Sequence, residues 1–153
     1  VRELITFGDF SGNNDYDCAD LDALVAAVAG GSTAAQWDLN SDNNVDVGDV
    51  SSWLSIAGAA ENASGNPYLP GDANLDGVVN GADYVVWSSN RFTATPAWCS
   101  GDFNADGFVN GADYVIWSSF RFQSSDSTNA VPEPGHAALL FVAAACYAAA
   151  KRR

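Results

Sequence analysis

Residues 71–92 read GDANLDGVVNGADYVVWSSNRF and residues 101–122 read GDFNADGFVNGADYVIWSSFRF, with 17 of 22 positions identical. Counted from Asp72, oxygen-bearing side chains fall at the first, third, fifth, ninth and twelfth places of a twelve-residue loop: Asp72, Asn74, Asp76, Asn80 and Asp83. Counted from Asp102, the set is Asp102, Asn104, Asp106, Asn110 and Asp113. A short segment gathers the oxygens of a calcium shell, about six to eight, only if alternate side chains of one turning loop aim at a common centre. Gly77 and Gly107 occupy the sixth place, where the chain bends into positive φ at little steric cost. Val78 and Phe108 at the seventh offer their carbonyls.

The same template finds two more copies nearer the N-terminus. One opens at Asp38 and continues through Asn40, Asp42, Asp46 and Asp49, with Asn43 at the turn and the Asn44 carbonyl at the seventh place. Asn serves at the turn because it tolerates the left-handed region. The other reads Asp9, Ser11, Asn13, Asp17 and Asp20, with Asn14 at the turn and Asp15 giving its carbonyl. Having fewer central carboxylates, it is expected to be the weakest of four calcium sites.

Apolar phasing repeats in the same register. The eighth, thirteenth and sixteenth places are Tyr16, Leu21 and Leu24 in loop 1, and Val45, Val50 and Trp53 in loop 2. They are Val79, Tyr84 and Trp87 in loop 3, and Val109, Tyr114 and Trp117 in loop 4. The last two of these places are three residues apart and suit one stripe of a helix that leaves the loop, with the twelfth-place Asp in its first turn. Solvated Asx-turns would explain one such cluster without any metal; four in one register, each with a helical apolar phase, favour the calcium reading. Pro67, Pro70 and Pro96 just ahead of loops 3 and 4 disfavour an entering helix.

Calcium loops with exit helices only, and Asp at the twelfth place, resemble the dockerin family over residues 8–58 and 71–122. The resemblance implies an all-α chain of two small modules, each two EF-hand-like calcium loops plus exit helices, and up to four Ca²⁺. It implies repeats packed antiparallel about a pseudo-twofold axis. It also implies a cohesin-like partner reading the tenth and eleventh places and the early helix: Gly81, Ala82, Ser88 and Ser89, or Gly111, Ala112, Ser118 and Ser119. The expected layout is one pair at 7–58, a linker at 59–69, a second pair at 70–123 and a polar spacer at 124–130.

Residues 131–153 are the second signal: Val131-Pro132-Glu133-Pro134, an apolar run, and Lys151-Arg152-Arg153. This order resembles a PEP-CTERM sorting signal. It implies export, processing by an exosortase-type enzyme, and membrane contact through residues 136–153 before processing. The uncharged stretch 137–150 spans about 21 Å as a C-terminal hydrophobic helix, short of a bilayer core of roughly 30 Å, so snorkelling by the basic end is needed. The chain opens Val1-Arg2-Glu3 with no extended apolar leader. The expectation is that it is the end of a larger exported protein, located at the envelope or in an extracellular matrix.

Net charge is −13, and 14 of the 19 acidic residues lie in the four loops. Packed carboxylates repel until a cation neutralises them, and so acidic a chain is a poor nucleic-acid ligand. Each pair has about 50 residues, a size at which a metal staple is usually needed. The single His, His136, sits beside the apolar tail, so Ser-His and Cys-His chemistry lack a base. A non-enzymatic interaction module is therefore expected. An accessory segment of a polysaccharide-degrading enzyme is the alternative, and a calcium sensor or buffer fits less well. Tyr84, Trp87, Phe92, Tyr114, Trp117 and Phe122 read as core rather than as a sugar-stacking surface. Cys18, Cys99 and Cys146 are odd in number and have no metal-ligand spacing. A Cys18–Cys99 bridge is one arrangement that an oxidising compartment allows, and the sequence alone does not select it.

Overall fold

The computed structural model describes residues 7–126, and their regular structure is helical. Four α-helices follow in order: α1 (Cys18–Ala29), α2 (Val47–Glu61), α3 (Gly81–Asn90) and α4 (Gly111–Phe120). Short 3₁₀ turns at Ala35–Trp37 and Trp98–Ser100 precede loops 2 and 4. Among the described residues there is no strand, only two isolated bridges, Val78 with Ser124 and Thr93 with Val109. The chain is all-α. Residues 131–153, on which the expectation of a sorting signal and a C-terminal apolar helix falls, lie outside the described residues, as do His136 and Cys146. Among those described, no helix is long and apolar enough to cross a membrane.

Each helix begins at the tenth place of its loop for one local reason. The ninth-place residue (Asp17, Asp46, Asn80 or Asn110) is the N-cap, and its side chain accepts from the amide two residues on. The twelfth-place Asp reaches back to the N-cap amide and completes a capping box. A carboxylate in the first turn also meets the positive end of the helix dipole.

Residues 70–126 are organised by a pseudo-twofold relation. Trp87 Nε1 donates to the Asn110 carbonyl at 2.8 Å, and Trp117 Nε1 donates to the Asn80 carbonyl at 3.0 Å. The Phe92 amide donates to the Val109 carbonyl and the Val109 amide to the Thr93 carbonyl. In the other direction, the Phe122 amide donates to the Val79 carbonyl and the Val79 amide to the Gln123 carbonyl. Each exit segment thus closes the loop of the other repeat. Tyr84, Trp87, Tyr114 and Trp117 form one aromatic cluster with ring centroids 5.2–6.4 Å apart.

The aromatic residues do not all become core. Trp87 and Trp117 are buried, but Tyr84 and Tyr114 sit at the rim, and Phe92 and Phe122 are 83% and 81% exposed. The reason is local: Phe92 and Phe122 take positive φ, 67° and 65°, where the chain leaves the helix to bond the facing loop, and this turns their rings outward. Arg91 and Arg121 place their guanidinium groups over those rings at 5.8 and 5.9 Å.

The N-terminal half packs α1 on α2 around Leu21, Leu24, Val25, Val50, Trp53 and Leu54. Leu24 stands where the other copies have Trp, so the reciprocal indole pair is missing here, and Trp53 Nε1 instead donates to the Gly8 carbonyl at 2.8 Å. The two halves share one core cluster. A disulfide joins Cys18 to Cys99 with Cα atoms 5.9 Å apart, and the Cys99 amide donates to Asp22 Oδ1 at 2.9 Å. Helix α2 runs to Glu61, into the expected linker, and Tyr68 within that linker is buried, its amide bonded to the Leu54 carbonyl. Ser125, in the expected spacer, is also buried, bonded through Oγ to the Pro67 carbonyl and through its amide to the Gly77 carbonyl.

Candidate metal centre

The four loops share one backbone. The sixth-place residue has positive φ in every copy: Asn14 at 63°, Asn43 at 68°, Gly77 at 82° and Gly107 at 88°. So does the fourth-place residue: Gly12 at 73°, Ser41 at 62°, Leu75 at 55° and Ala105 at 55°. Two left-handed residues separated by one give the loop its coil. The fourth-place bend was not anticipated from sequence; the only available signal is that three of the four residues there are small. Leu75 holds a conformation that L-residues with a Cβ disfavour, so the surrounding bonds must over-determine it.

Those bonds are also common to all copies. The first-place Asp accepts the fifth- and sixth-place amides. In loop 3, Asp72 Oδ1 takes Asp76 at 3.2 Å and Oδ2 takes Gly77 at 2.8 Å; in loop 4, Asp102 takes Asp106 at 3.2 Å and Gly107 at 2.9 Å. Asp38 accepts from Asp42 and Asn43, and Asp9 from Asn13 and Asn14, in the same way. The twelfth-place Asp ties the start of the loop to its end: Asp83 accepts from Ala73 and Asn80, Asp113 from Phe103 and Asn110, Asp49 from Leu39 and Asp46, and Asp20 from Ser11 and Asp17. The fifth-place side chains (Asn13, Asp42, Asp76 and Asp106) each accept from the seventh-place amide. The third-place Asn40, Asn74 and Asn104 donate to the fifth-place carboxylate, whereas Ser11 at that place in loop 1 donates to Asp9.

Electrostatically, the loops hold more charge than the protein alone neutralises. Asp20, Asp49, Asp72, Asp83, Asp102 and Asp113 are fully buried, while the only Lys or Arg among the described residues, Arg91 and Arg121, are exposed at the helix ends. Burial pushes the Asp72 carboxyl up to about 6, opposed by the Gly77 amide and reinforced by Asp83 and Asp76. Burial likewise pushes Asp102 up to about 6, opposed by Gly107 and reinforced by Asp113 and Asp106. Asp113 is also raised, by burial, against the amides of Asn110, Asn104 and Phe103. A carboxylate whose pKa rises in this way is one that the metal-free fold holds at a cost.

Among the described residues, no group of three or more Asp, Glu, His or Cys side chains forms a ready-made metal cage. The expected ligand sets hold three Asp carboxylates in loops 1, 3 and 4 and four in loop 2, with Asn or Ser side-chain oxygens and one backbone carbonyl, and the structure draws none of these carboxylate sets into such a group. The donor chemistry fits a hard cation such as Ca²⁺: oxygen only, with no thiolate or imidazole. Carboxylate oxygens that accept one backbone amide retain a further lone pair. At the ninth place, Asn80 Oδ1 caps the helix while its Nδ2 donates to the seventh-place Val78 carbonyl at 3.2 Å, and Asn110 does the same to Phe108. Trp98, not singled out from the sequence, braces loop 3 by donating from Nε1 to the first-place Asp72 carbonyl at 2.7 Å. Comparison with known proteins finds no matching family model, no matching curated protein and no matching solved structure.

Proposed function

We propose that this chain is a calcium-stabilised, dockerin-like protein–protein interaction module of an exported bacterial protein held at the cell envelope or in an extracellular matrix. The observation that supports the reading most is the identity of the four loop backbones. Sequences as different as Asp9–Asp20 and Asp102–Asp113 adopt the same pair of left-handed residues, and in both the first-place Asp accepts the sixth-place amide and the twelfth-place Asp the third-place amide, to which loop 4 adds the second-place amide. When bound, calcium would supply the positive charge that the buried carboxylates lack. The chain's own part is to hold the first-, third-, fifth- and twelfth-place oxygens and the seventh-place carbonyl in register through its backbone bonds.

The surface offered to a cohesin-like or other envelope protein is the start of α3 and α4. Gly81, Ala82, Gly111 and Ala112 are exposed, as are Ser89 and Ser119 further along each helix. They repeat about the pseudo-twofold, so either helix presents the same small residues. A non-enzymatic role goes with this reading, since the buried loop carboxylates all accept loop amides. Export and envelope location rest on residues 131–153.

Isothermal titration of the purified chain with Ca²⁺, together with helical circular dichroism in chelator, tests the reading. The expected result is heat of uptake and loss of helical signal on chelation. No heat at millimolar Ca²⁺, or an unchanged cooperative melt in excess chelator, would remove its basis.

A further inference from the structure

Cys18 is the tenth-place residue of loop 1, between the N-cap Asp17 and the twelfth-place Asp20. Cys99 lies in the 3₁₀ turn that feeds loop 4, three residues before its first-place Asp102. Their disulfide therefore joins the closing turn of one candidate metal loop to the entry of another. Two further contacts run alongside it. Asp22, one turn along α1, accepts the Cys99 amide. At the far end of α1, Ala29 Cβ stands 3.5 Å from where a Cβ on Gly107, the sixth-place residue of loop 4, would lie. The exit helix of loop 1 is thus fixed at one end to the entry of loop 4 and at the other meets its turn.

We infer that the Cys18–Cys99 bridge is a positioning element for calcium binding, which holds loops 1 and 4 in their binding conformation and links their occupancy. This rests on the calcium reading above. Loop 1 has the poorest ligand set, with Ser11 and Asn13 where the other copies carry Asn and Asp, so it depends most on being held from outside. Loop 2 has no covalent link of this kind and serves as the internal reference. Energetic coupling of two sites through one shared rigid element amounts to about fivefold or more in affinity.

Four amides report on the loops separately, because the sixth-place N–H of Asn14, Asn43, Gly77 and Gly107 each donates to the first-place Asp of its own loop. The experiment is a Ca²⁺ titration of the whole ¹⁵N-labelled chain, oxidised and then reduced with dithiothreitol. Reduction breaks the S–S bond and passes two electrons and two protons to the cysteines, and the reagent becomes its own disulfide. The Cys18→Ser variant repeats the comparison without reagent. The expected result is that the Asn14 and Gly107 midpoints move to about fivefold higher calcium or more while Asn43 stays within about twofold. An unchanged Asn14 midpoint, or an equal shift of all four amides, overturns the inference. So does outright unfolding on reduction in saturating calcium, since the bridge then holds the whole fold rather than two loops. If none of the four amides responds to calcium in the oxidised chain, the calcium reading itself falls, which is a separate result.

Discussion

Trp87 and Trp117 hold each other's loops: the indole of each donates to the carbonyl of the ninth-place Asn in the opposite repeat, Asn110 and Asn80 respectively. The same two carbonyls belong to the N-caps of α4 and α3, so one hydrogen bond links the end of a loop, the start of its helix and the core of the neighbouring repeat. Trp87→Phe keeps most of the apolar contact and removes the N–H, leaving the partly buried Asn110 carbonyl with only the long 3.4 Å bond from the Tyr114 amide. The expected cost is about 1–2 kcal/mol. Trp117→Phe should cost the same within about 0.5 kcal/mol, because the two environments are related by the pseudo-twofold. Urea denaturation in saturating calcium measures both; a clear inequality would show that the symmetry is geometric but not energetic.

Much of this arrangement was readable from the residues, and the part that was not has a common cause. Loop register, the helix starts at the tenth place and the first-turn position of Asp20, Asp49, Asp83 and Asp113 depend on neighbours within twelve residues. Capping chemistry and turn preferences act over that range. The Cys18–Cys99 bridge and the burial of Ser125 depend on residues 81 and 58 positions apart, and Tyr68 is seated on Leu54 of the preceding helix, contacts that periodicity does not report. Phe92 and Phe122 were misread for a related reason. Their apolar character suggested core, but the reciprocal bonds of their amides decide where the rings point.

The metal-free fold should be less stable at neutral pH than in mild acid. In the folded chain Asp72 and Asp102 remain protonated up to about 6, whereas an ordinary Asp releases its proton near 3.8. Between these values the folded state binds more protons than the unfolded one, so stability is greatest below the window and falls as pH rises through it. In excess chelator the helical circular dichroism that survives is expected to be larger at pH ~5 than at pH ~7. Saturating calcium should abolish or reverse the trend, since the ion requires the ionised carboxylates. A chelated protein that gains stability from pH ~5 to pH ~7 would contradict the burial argument for these two residues.

Asp113 joins three backbone amides: Phe103 at 2.8 Å and Asn104 at 3.2 Å through Oδ1, and Asn110 at 2.8 Å through Oδ2. Asp113→Asn conserves shape but turns one acceptor into a donor facing an N–H. The loss in calcium is expected to be about 2–4 kcal/mol, combining a broken cap with an unsatisfied buried amide. Asp49→Asn tests the same geometry in loop 2, where Leu39, Asn40 and Asp46 are the donors. If either variant melts like the parent in calcium, the twelfth-place carboxylate is not the tie that closes the loop.

Two glycine substitutions in helices should have opposite effects. A Cβ on Gly58 in α2 would lie 2.4 Å from the Asn66 carbonyl oxygen, 2.7 Å from Pro67 Cα and 2.7 Å from the Tyr68 amide nitrogen, all backbone atoms that cannot rotate away. Ala gains about 0.5–1 kcal/mol over Gly in a helix, but the clash displaces residues 66–68, strains the bond from the Tyr68 amide to Leu54 and loosens buried Tyr68. Overpacking of this kind costs about 1–3 kcal/mol, so the sum is unfavourable. A Cβ on Gly81 would meet nothing within 4 Å, and its φ is not in the left-handed region, so there only the propensity gain remains. Thermal melts in calcium should therefore show Gly58→Ala melting below the parent and Gly81→Ala at or above it. Limited proteolysis should cut Gly58→Ala faster within residues 59–69. Equal melting of the two variants would mean that the segment joining the halves is not seated on α2 as tightly as these contacts require.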